Sequence, residues 1–524
     1  MNKRYLAALL LSVLVLIGYP YYLQWVGVRP AQKSNVEVRV EPEKAPSLSK
    51  EKPATDPGQA LPYRNALYDL VFSSRGGNLI LLQQGDAILY QAKPQEKGIF
   101  GVTLQHETPD LSGKIFQVIP PEKKELPPAF VYEKSGEYRI TKKYFAGSEK
   151  PTLILEVEIQ NLSSRERQFP LQLNYALNLA LHGPRDEASA KMVLQSGPQL
   201  QAVHEGSLRK KPFLSIGAFE WQGLARKYYA LLVKPDLKLS GQETRFEEDR
   251  LVSDLEITPF NLGAGEKKTV RFLIYAGPQH YGLLREVGFG FEKVLSQGML
   301  GILRIALLIS LNFFYRIFGN YGVAILMITL LLKLLFTPLT HLSYQSMGKM
   351  QALQPKIKAL QKKHQGDAGR LNKEMMELYR RNRVNPMMGC LPLFLQIPIF
   401  IAFYQALSEA VEMKGAHFIF WIRDLSEPDR LFSWTAALPF VGNSFNLLPI
   451  LMIGSMIWQQ KLTPQTAAAP GQEKMMLFMP VIFGFVFYSL PSGLVLYWLT
   501  NNLLTIFHQL VIKRIPVILH HEDR

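Results

Sequence analysis

A single cysteine, Cys390, among 524 residues rules out an intrachain disulfide and any multi-cysteine metal site. It lies in an apolar run, where packing accounts for it. Histidine offers metal chemistry no better start: His106, His182, His204 and His280 are widely scattered, with no HExxH pair and no glycine-rich phosphate loop after a strand. Neither a metal nor a cofactor is expected. Acidic residues are outnumbered, 43 against 59 lysines and arginines, for a formal charge of +16. Such an excess suits nucleic acid, but the cations crowd beside hydrophobic runs, where they set membrane topology and meet anionic lipid. Direct nucleic-acid recognition is not expected. A small-x-small cleavage site after the first apolar run is missing. So is an internal repeat across the later runs, which argues against a two-halved solute transporter.

What the chain does contain is organised around residues 321–383. From Gly322 to Thr337 it reads GVAILMITLLLKLLFT, long enough with its flanks to cross a bilayer core, and its one formal charge is Lys333. A lysine near the middle of a membrane helix costs about 2.5 to 3.5 kcal/mol on insertion scales. It either faces a wet cavity or snorkels toward His341, roughly 12 Å of helical rise away, and this helix alone does not separate the two. Thr329, Lys333 and Thr337 step by four and are expected on one face.

Residues 1–28, with Lys3 and Arg4 before an apolar run and Tyr19, Tyr21, Tyr22 and Trp25 after it, predict an uncleaved signal anchor with its basic end in the cytoplasm. Residues 29–59 turn to Pro, Glu, Lys and Ser, the composition of a disordered linker. From 60 to 280 short alternating segments, such as TLILEVEIQNL from Thr152, are split by turn residues, and they predict a β-sandwich. Glu156 and Glu158 alternate as a solvated strand face does. A sugar-processing site assembled from distant carboxylates is the competing account of this block. Residues 281–319 predict an interfacial amphipathic region, with Met299 to Phe318 along the membrane surface and Arg304 and Arg316 snorkelling.

Between His341 and Pro386 ten lysines and arginines meet only Asp367, Glu374 and Glu377, which makes this segment cytoplasmic like the N-terminus. An even number of spans must separate the two, and that puts the β block on the outer side. Met350, Leu353, Ile357 and Leu360, then Leu371, Met375 and Leu378, step by three and four about a His364–Asp367 break, so 345–384 should be an antiparallel helical hairpin. Its cations Lys356, Lys358, Lys362, Lys363, Arg380 and Arg381 form a solvated face or a contact for lipid headgroups, a ribosome or a targeting factor. Apolar runs at Met388–Val411, Leu447–Trp458, Met475–Leu490 and Leu494–Ile512 bring the total to six spans and return a short tail, 513–524, to the cytoplasm. Tyr497, Asn501, Thr505 and His508 share a face of the last run. With Gln396 and the Lys333 stripe they predict a wet intramembrane cavity, against a dry hydrogen-bonded bundle.

ITLLLKLLFTPLT, QALQPKIKALQKK, NPMMGCLPLFLQIPIFIAFY and FMPVIFGFVFYSLPSGLVLYWLTNNL resemble, in order, blocks of the YidC/Oxa/Alb insertase family, over about Tyr321 to Ile512. A signal anchor plus a large β block is similar to the Gram-negative inner-membrane form. The resemblance implies a polytopic α-helical membrane protein with a five-helix core (320–512) around a hydrophilic groove, and a periplasmic β-sandwich without a known catalytic role. It implies a membrane insertase, not an enzyme, that moves nascent membrane-protein segments from the cytoplasm into lipid. Its partners would be nascent membrane proteins and the bilayer, with the ribosome, the signal recognition particle receptor and the Sec translocon as further candidates. Matched by position, the groove cation falls on Lys333, with Thr329, Gln396, Tyr497, Trp498 and Asn501 beside it. Two departures stand out: lysine replaces the family's usual arginine and loses its bidentate fork, and Trp498 replaces a common tyrosine and loses a hydroxyl acceptor.

Overall fold

The computed structural model describes residues 58–514, except 95, 105–109, 122, 124–125, 180–189, 296–299, 365–366, 386–390, 439–441 and 464–471. The expected signal anchor, nearly all of the linker, Cys390 and residues 515–524 of the tail lie outside the described residues.

Alternating apolar residues build a β-sandwich from Ala60 to Pro278. A nine-stranded antiparallel sheet runs, edge to edge, Gln199–His204, Lys191–Ser196, Trp221–Ala225, Tyr229–Pro235, Lys267–Pro278, Thr152–Asn161, Tyr138–Ala146, Ala129–Lys134 and Gln117–Ile119. A five-stranded sheet runs Phe213–Phe219, Leu239–Glu247, Arg250–Ile257, Leu171–Asn178 and Gly101–Leu104. Four further strands between Ala60 and Gln91 form a third sheet. Period-2 side chains explain the layering. Leu153, Leu155, Val157 and Ile159 of one sheet and Leu173, Tyr175 and Leu177 of another meet in a single buried cluster. On the other face Glu156 and Glu158 pair with Arg271 at 2.7 Å and Lys267 at 3.4 Å, a solvated cross-strand ladder.

One buried cation breaks the apolar rule. The Lys142 ammonium donates to the Gly76 carbonyl at 3.0 Å, Asn78 Oδ1 at 3.0 Å and the Phe100 carbonyl at 2.7 Å. It thereby pins the Gly76-Gly77 turn, where both glycines have positive φ and a Cβ on Gly77 would lie 2.7 Å from Phe130. All three partners are neutral oxygens, and burial pushes the Lys142 ammonium well below its ordinary value. The unfolded chain therefore holds a proton over the window between that lowered value and about 10.4 that the folded chain gives up. Stability should climb with pH across this window and be lowest below it. Thermal unfolding of the purified protein from neutral pH to about pH 10 should show that rise, and Lys142→Met should flatten it.

A second buried cluster continues from Trp221 and Tyr275 on the sandwich through Phe291, Val294 and Leu295 into the helices. Trp221 packs edge-on against Phe291, centroids 5.2 Å apart, and donates its indole N–H to the Phe289 carbonyl at 2.9 Å. The helices are α1 (Tyr281–Val287), α2 (Gly301–Phe318), α3 (Tyr321–Ala352), α4 (Gln354–Lys363), α5 (Ala368–Arg381), α6 (Leu391–Glu409), α7 (Leu447–Leu462), α8 (Gln472–Phe487) and α9 (Ser492–Arg514). Among the described residues α2 and α3 are long and apolar enough to cross a membrane, and shorter apolar helices cover Phe394–Ser408 and Phe478–Phe487.

Helix α2 departs from expectation in one side chain. Arg304 does not snorkel: it is buried, on the same face as Gly301, Leu307, Leu308 and Leu311. The 3.6-residue period places positions i, i+3, i+4 and i+7 of that set together, whereas Arg316 is exposed. Gly319 ends α2 at φ 66° and Asn320 caps α3 by accepting the Val323 N–H at 3.1 Å. Tyr315 then stacks on Tyr321, centroids 3.9 Å apart. Helix α3 also runs further than expected, so the hairpin proper is α4 and α5. Its seam buries Met350, Leu353, Ile357, Tyr379 and Val384, with Met375 and Leu378 against them. A strand pair, Phe432–Leu438 with Gly442–Phe445, lies between α6 and α7 and was not expected from the sequence.

Candidate functional site

Polar residues are rare on the first half of α3, from Tyr321 to Phe336, and the spacing of those there and just beyond decides what they can share. Helical geometry turns about 100° per residue, so Thr337 sits about 80° round from Thr329, while Thr340 comes back to within about 20° of it. Accordingly a cavity of about 470 Å³ is lined on this helix by Thr329, Lys333, Thr340, Ser343 and Tyr344, and Thr337 is not among its lining residues. Thr337 and Thr340 instead donate their hydroxyls to the Lys333 and Phe336 carbonyls, at 2.7 and 2.8 Å, on either side of Pro338. Thr329 is buried at the cavity's inner end and donates to the Ile325 carbonyl at 2.6 Å.

Helices α6, α7, α8 and α9 supply the other walls. The Lys333 ammonium donates to Thr505 Oγ1 at 2.6 Å, and that hydroxyl spends its own proton on the Asn501 carbonyl, also at 2.6 Å. The lysine therefore crosses the cavity to α9 and does not run along α3 toward His341. Gln396 donates to the Tyr497 hydroxyl, and the Tyr497 ring stacks on Phe403, centroids 4.3 Å apart. Asn501 also lines the cavity. Trp498 is held by Phe400, Phe483 and Phe487, while its indole nitrogen is buried without a hydrogen-bond partner among the described residues.

All six groove residues expected from the sequence thus border one cavity. His508 does not; it stands beside Tyr344, centroids 6.0 Å apart. Sequence reasoning missed the opposite end. There Gln509 donates to the Tyr344 hydroxyl at 2.8 Å and to Thr463 Oγ1 at 3.0 Å, and Asn502 donates to Ser455 at 3.0 Å. Gln459-Gln460 beside Thr463, at the end of an apolar run, was the available signal.

The cavity is closed toward the start of α3, where Ala324, Ile325, Phe403, Leu407 and Leu494 are buried together. It extends toward the end of α3 that carries the basic hairpin, with Met347, Gln460 and Thr463 on its walls. On that hairpin Lys356, Lys358, Lys362, Lys363, Arg380 and Arg381 are all exposed. Arg381 pairs with Glu377 at 2.6 Å on the same helix, and the His364 ring lies 3.0 Å from the Glu374 carboxylate across the turn.

Residues 313–518 match the family described as 60Kd inner membrane protein. The membrane protein insertase YidC of Pelobacter propionicus is 35% identical over 497 residues, covering 90% of this chain and 89% of its own. That of Geotalea daltonii is 31% identical over 545 residues, covering 98% of this chain and 99% of its own. Among solved structures, an active YidC insertase with its first transmembrane domain resolved matches at 17% identity and a TM-score of 0.39, over 87% of this chain and 92% of that one. A galactose mutarotase related enzyme from Lactobacillus acidophilus matches at 11% identity and a TM-score of 0.33, over 42% of this chain and 97% of that one.

Proposed function

The chain belongs to the YidC family of membrane protein insertases, and from that membership we propose how its cavity carries out insertion. The cavity accepts the hydrophilic end of a nascent membrane segment from the cytoplasmic side and releases the apolar part sideways into lipid. The observation that carries this reading is the Lys333 ammonium, held by Thr505 Oγ1 in a cavity about 18 Å of rise inside the apolar first half of α3. No covalent chemistry is needed. A polar chain end crossing a full hydrocarbon core must shed its water, and unpaired backbone groups there cost several kcal/mol each. A recess that keeps those groups hydrogen-bonded part of the way shortens the unfavourable path. Its closed end, at Thr329 and Tyr497, keeps the recess from becoming a through-pore.

In the proposed topology six spans place both termini in the cytoplasm and the β-sandwich in the periplasm. Lys333 attracts acidic residues of the arriving segment. Gln396, Tyr497, Trp498, Asn501 and Thr329 line its path with hydroxyl, amide and aromatic surface. The exposed cations of α4 and α5 receive the substrate or its delivery machinery: the ribosome, the signal recognition particle receptor or the Sec translocon. A photocrosslinker placed in turn at Lys333, Gln396 and Tyr497 should capture a stalled single-span nascent chain. The same probe at Leu153, in the β-sandwich core, should not. Capture at none of the three positions would refute the groove as the substrate path.

A further inference from the structure

We propose that the loop Ala416–Leu425, between α6 and α7, is a built membrane wedge that inserts Ile419 and Phe420 among the lipids of the leaflet at the closed end of the cavity. The proposal rests on the membrane reading above, since its occupant is lipid. Phe420 is 81% exposed, more than any other aromatic ring among the described residues, and Ile419 is 44% exposed. The backbone holds Phe420 outward at some cost: its φ is 54°, in the left-handed region that a bulky side chain rarely enters. Such strain persists only where the surroundings over-determine it.

They do so here from four directions. Phe418 N–H donates to the Ile422 carbonyl at 3.0 Å, Ile422 N–H to the Ile419 carbonyl at 3.2 Å and Leu425 N–H to the Ala416 carbonyl at 3.0 Å, closing the loop on itself. Asn320, the cap of α3, reaches back to donate to the His417 and Phe418 carbonyls at 3.3 and 3.1 Å. Phe418 packs so tightly on Gly322 that a Cβ there would lie 2.0 Å from its ring. The buried Asp429 carboxylate accepts from the Trp421 indole at 2.8 Å and from the Leu448 N–H that opens α7 at 2.8 Å. The tip is thus clamped to the first turns of two apolar helices, which fixes its height at the edge of the hydrocarbon layer.

Two further features select lipid over a protein partner. Apolar exposure recurs at the α2 end, where Ile317 and Phe318 are also uncovered, just before the Asn320 that clamps the loop. The formal charges exposed around it are cationic, Arg423 and Lys414, the latter 5.6 Å from the Tyr228 ring centroid, whereas Asp424, Glu427 and Asp429 are partly or fully buried. Aromatic rings with basic neighbours match the interface of an anionic leaflet.

The test uses the full chain carrying Cys390→Ser, with a nitroxide attached to a single new cysteine at one of three positions, in vesicles of phosphatidylethanolamine and phosphatidylglycerol. Phe420→Cys should collide with oxygen more than with a water-soluble nickel chelate. Ile216→Cys, equally exposed at 79% but on the β-sandwich, should show the reverse. Leu335→Cys, on the lipid-facing side of α3 in the membrane reading, reports whether that reading holds by itself. An oxygen-rich signal at 335 with a nickel-rich one at 420 overturns the wedge and leaves the insertase reading standing. Shielding of 420 from both reagents overturns it too, because the tip would then be covered by protein.

Discussion

Lys333→Glu is expected to lower insertion of a single-span substrate with an acidic translocated end at least about fivefold, and Lys333→Leu to lower it less, while Lys333→Arg stays within about twofold of the native chain. An ammonium and a carboxylate about 4 Å apart attract by ~4 kcal/mol at an effective dielectric of 20. If a quarter of that survives hydration and motion, the remaining ~1 kcal/mol is about a fivefold effect, and reversing the charge replaces attraction by repulsion. Arginine keeps the charge and can still reach Thr505 Oγ1, which accepts the lysine's proton at 2.6 Å. Stability should move the other way. Removing a cation from a mid-membrane position relieves about 2.5 to 3.5 kcal/mol on insertion scales, so Lys333→Leu should accumulate at least as well as the native chain. Loss of insertion with undiminished abundance, read by depletion and complementation with quantitative blotting, separates a functional charge from a structural one. Normal insertion of the acidic substrate by Lys333→Glu would refute the charge role.

Excision of the hairpin should remove insertion altogether while leaving the rest folded. The Ser346 hydroxyl donates to the Asn385 carbonyl at 3.2 Å, so the chain leaves and re-enters the core at adjacent points. Residues 349–383 can therefore be replaced by a linker of about four glycines and serines, since short flexible loops close at small entropic cost. The hairpin's buried cluster is separate from the cluster that joins the helices to the sandwich, so the melting temperature of the remainder should change little. Converting Lys356, Lys358, Lys362 and Lys363 to glutamine together should give a partial loss relative to the native chain that narrows at higher salt, because screening weakens the native lysines' contribution as well. A deletant that inserts substrates normally would show the hairpin to be dispensable.

The same residues mark how far a sequence can be read. Apolar runs, charge asymmetry and period-2 alternation are local properties, and each maps onto one element through a fixed geometric period. The strands from Ala60 to Pro278, the helices from Tyr321 to Arg514 and the hairpin seam at Met350, Leu353 and Ile357 were legible for that reason. Arg304 was not. Whether a cation on an apolar helix points to the surface or inward depends on what packs against its face, and the i, i+3, i+4 pattern around it names the face without naming the neighbour. Phe420 escaped for a similar reason, because the loop that presents it is held by hydrogen bonds from Asn320, 97 residues away from His417 in sequence.

By itself the sequence determined that this protein combines a β-sandwich with apolar helices, that its cations gather beside those helices, and that one of them, Lys333, stands where a charge is costly. Only the tertiary structure decided which way that lysine turns. Its direction depends on the Thr505 hydroxyl brought 172 residues round to meet it at 2.6 Å, and long-range contacts of that kind leave no periodic trace in a chain. The structure likewise decided which part of the α3 face becomes a wall: Thr329 and Thr340 line the cavity that α6, α7, α8 and α9 complete, and Thr337 does not, because the lining depends on where those helices pack.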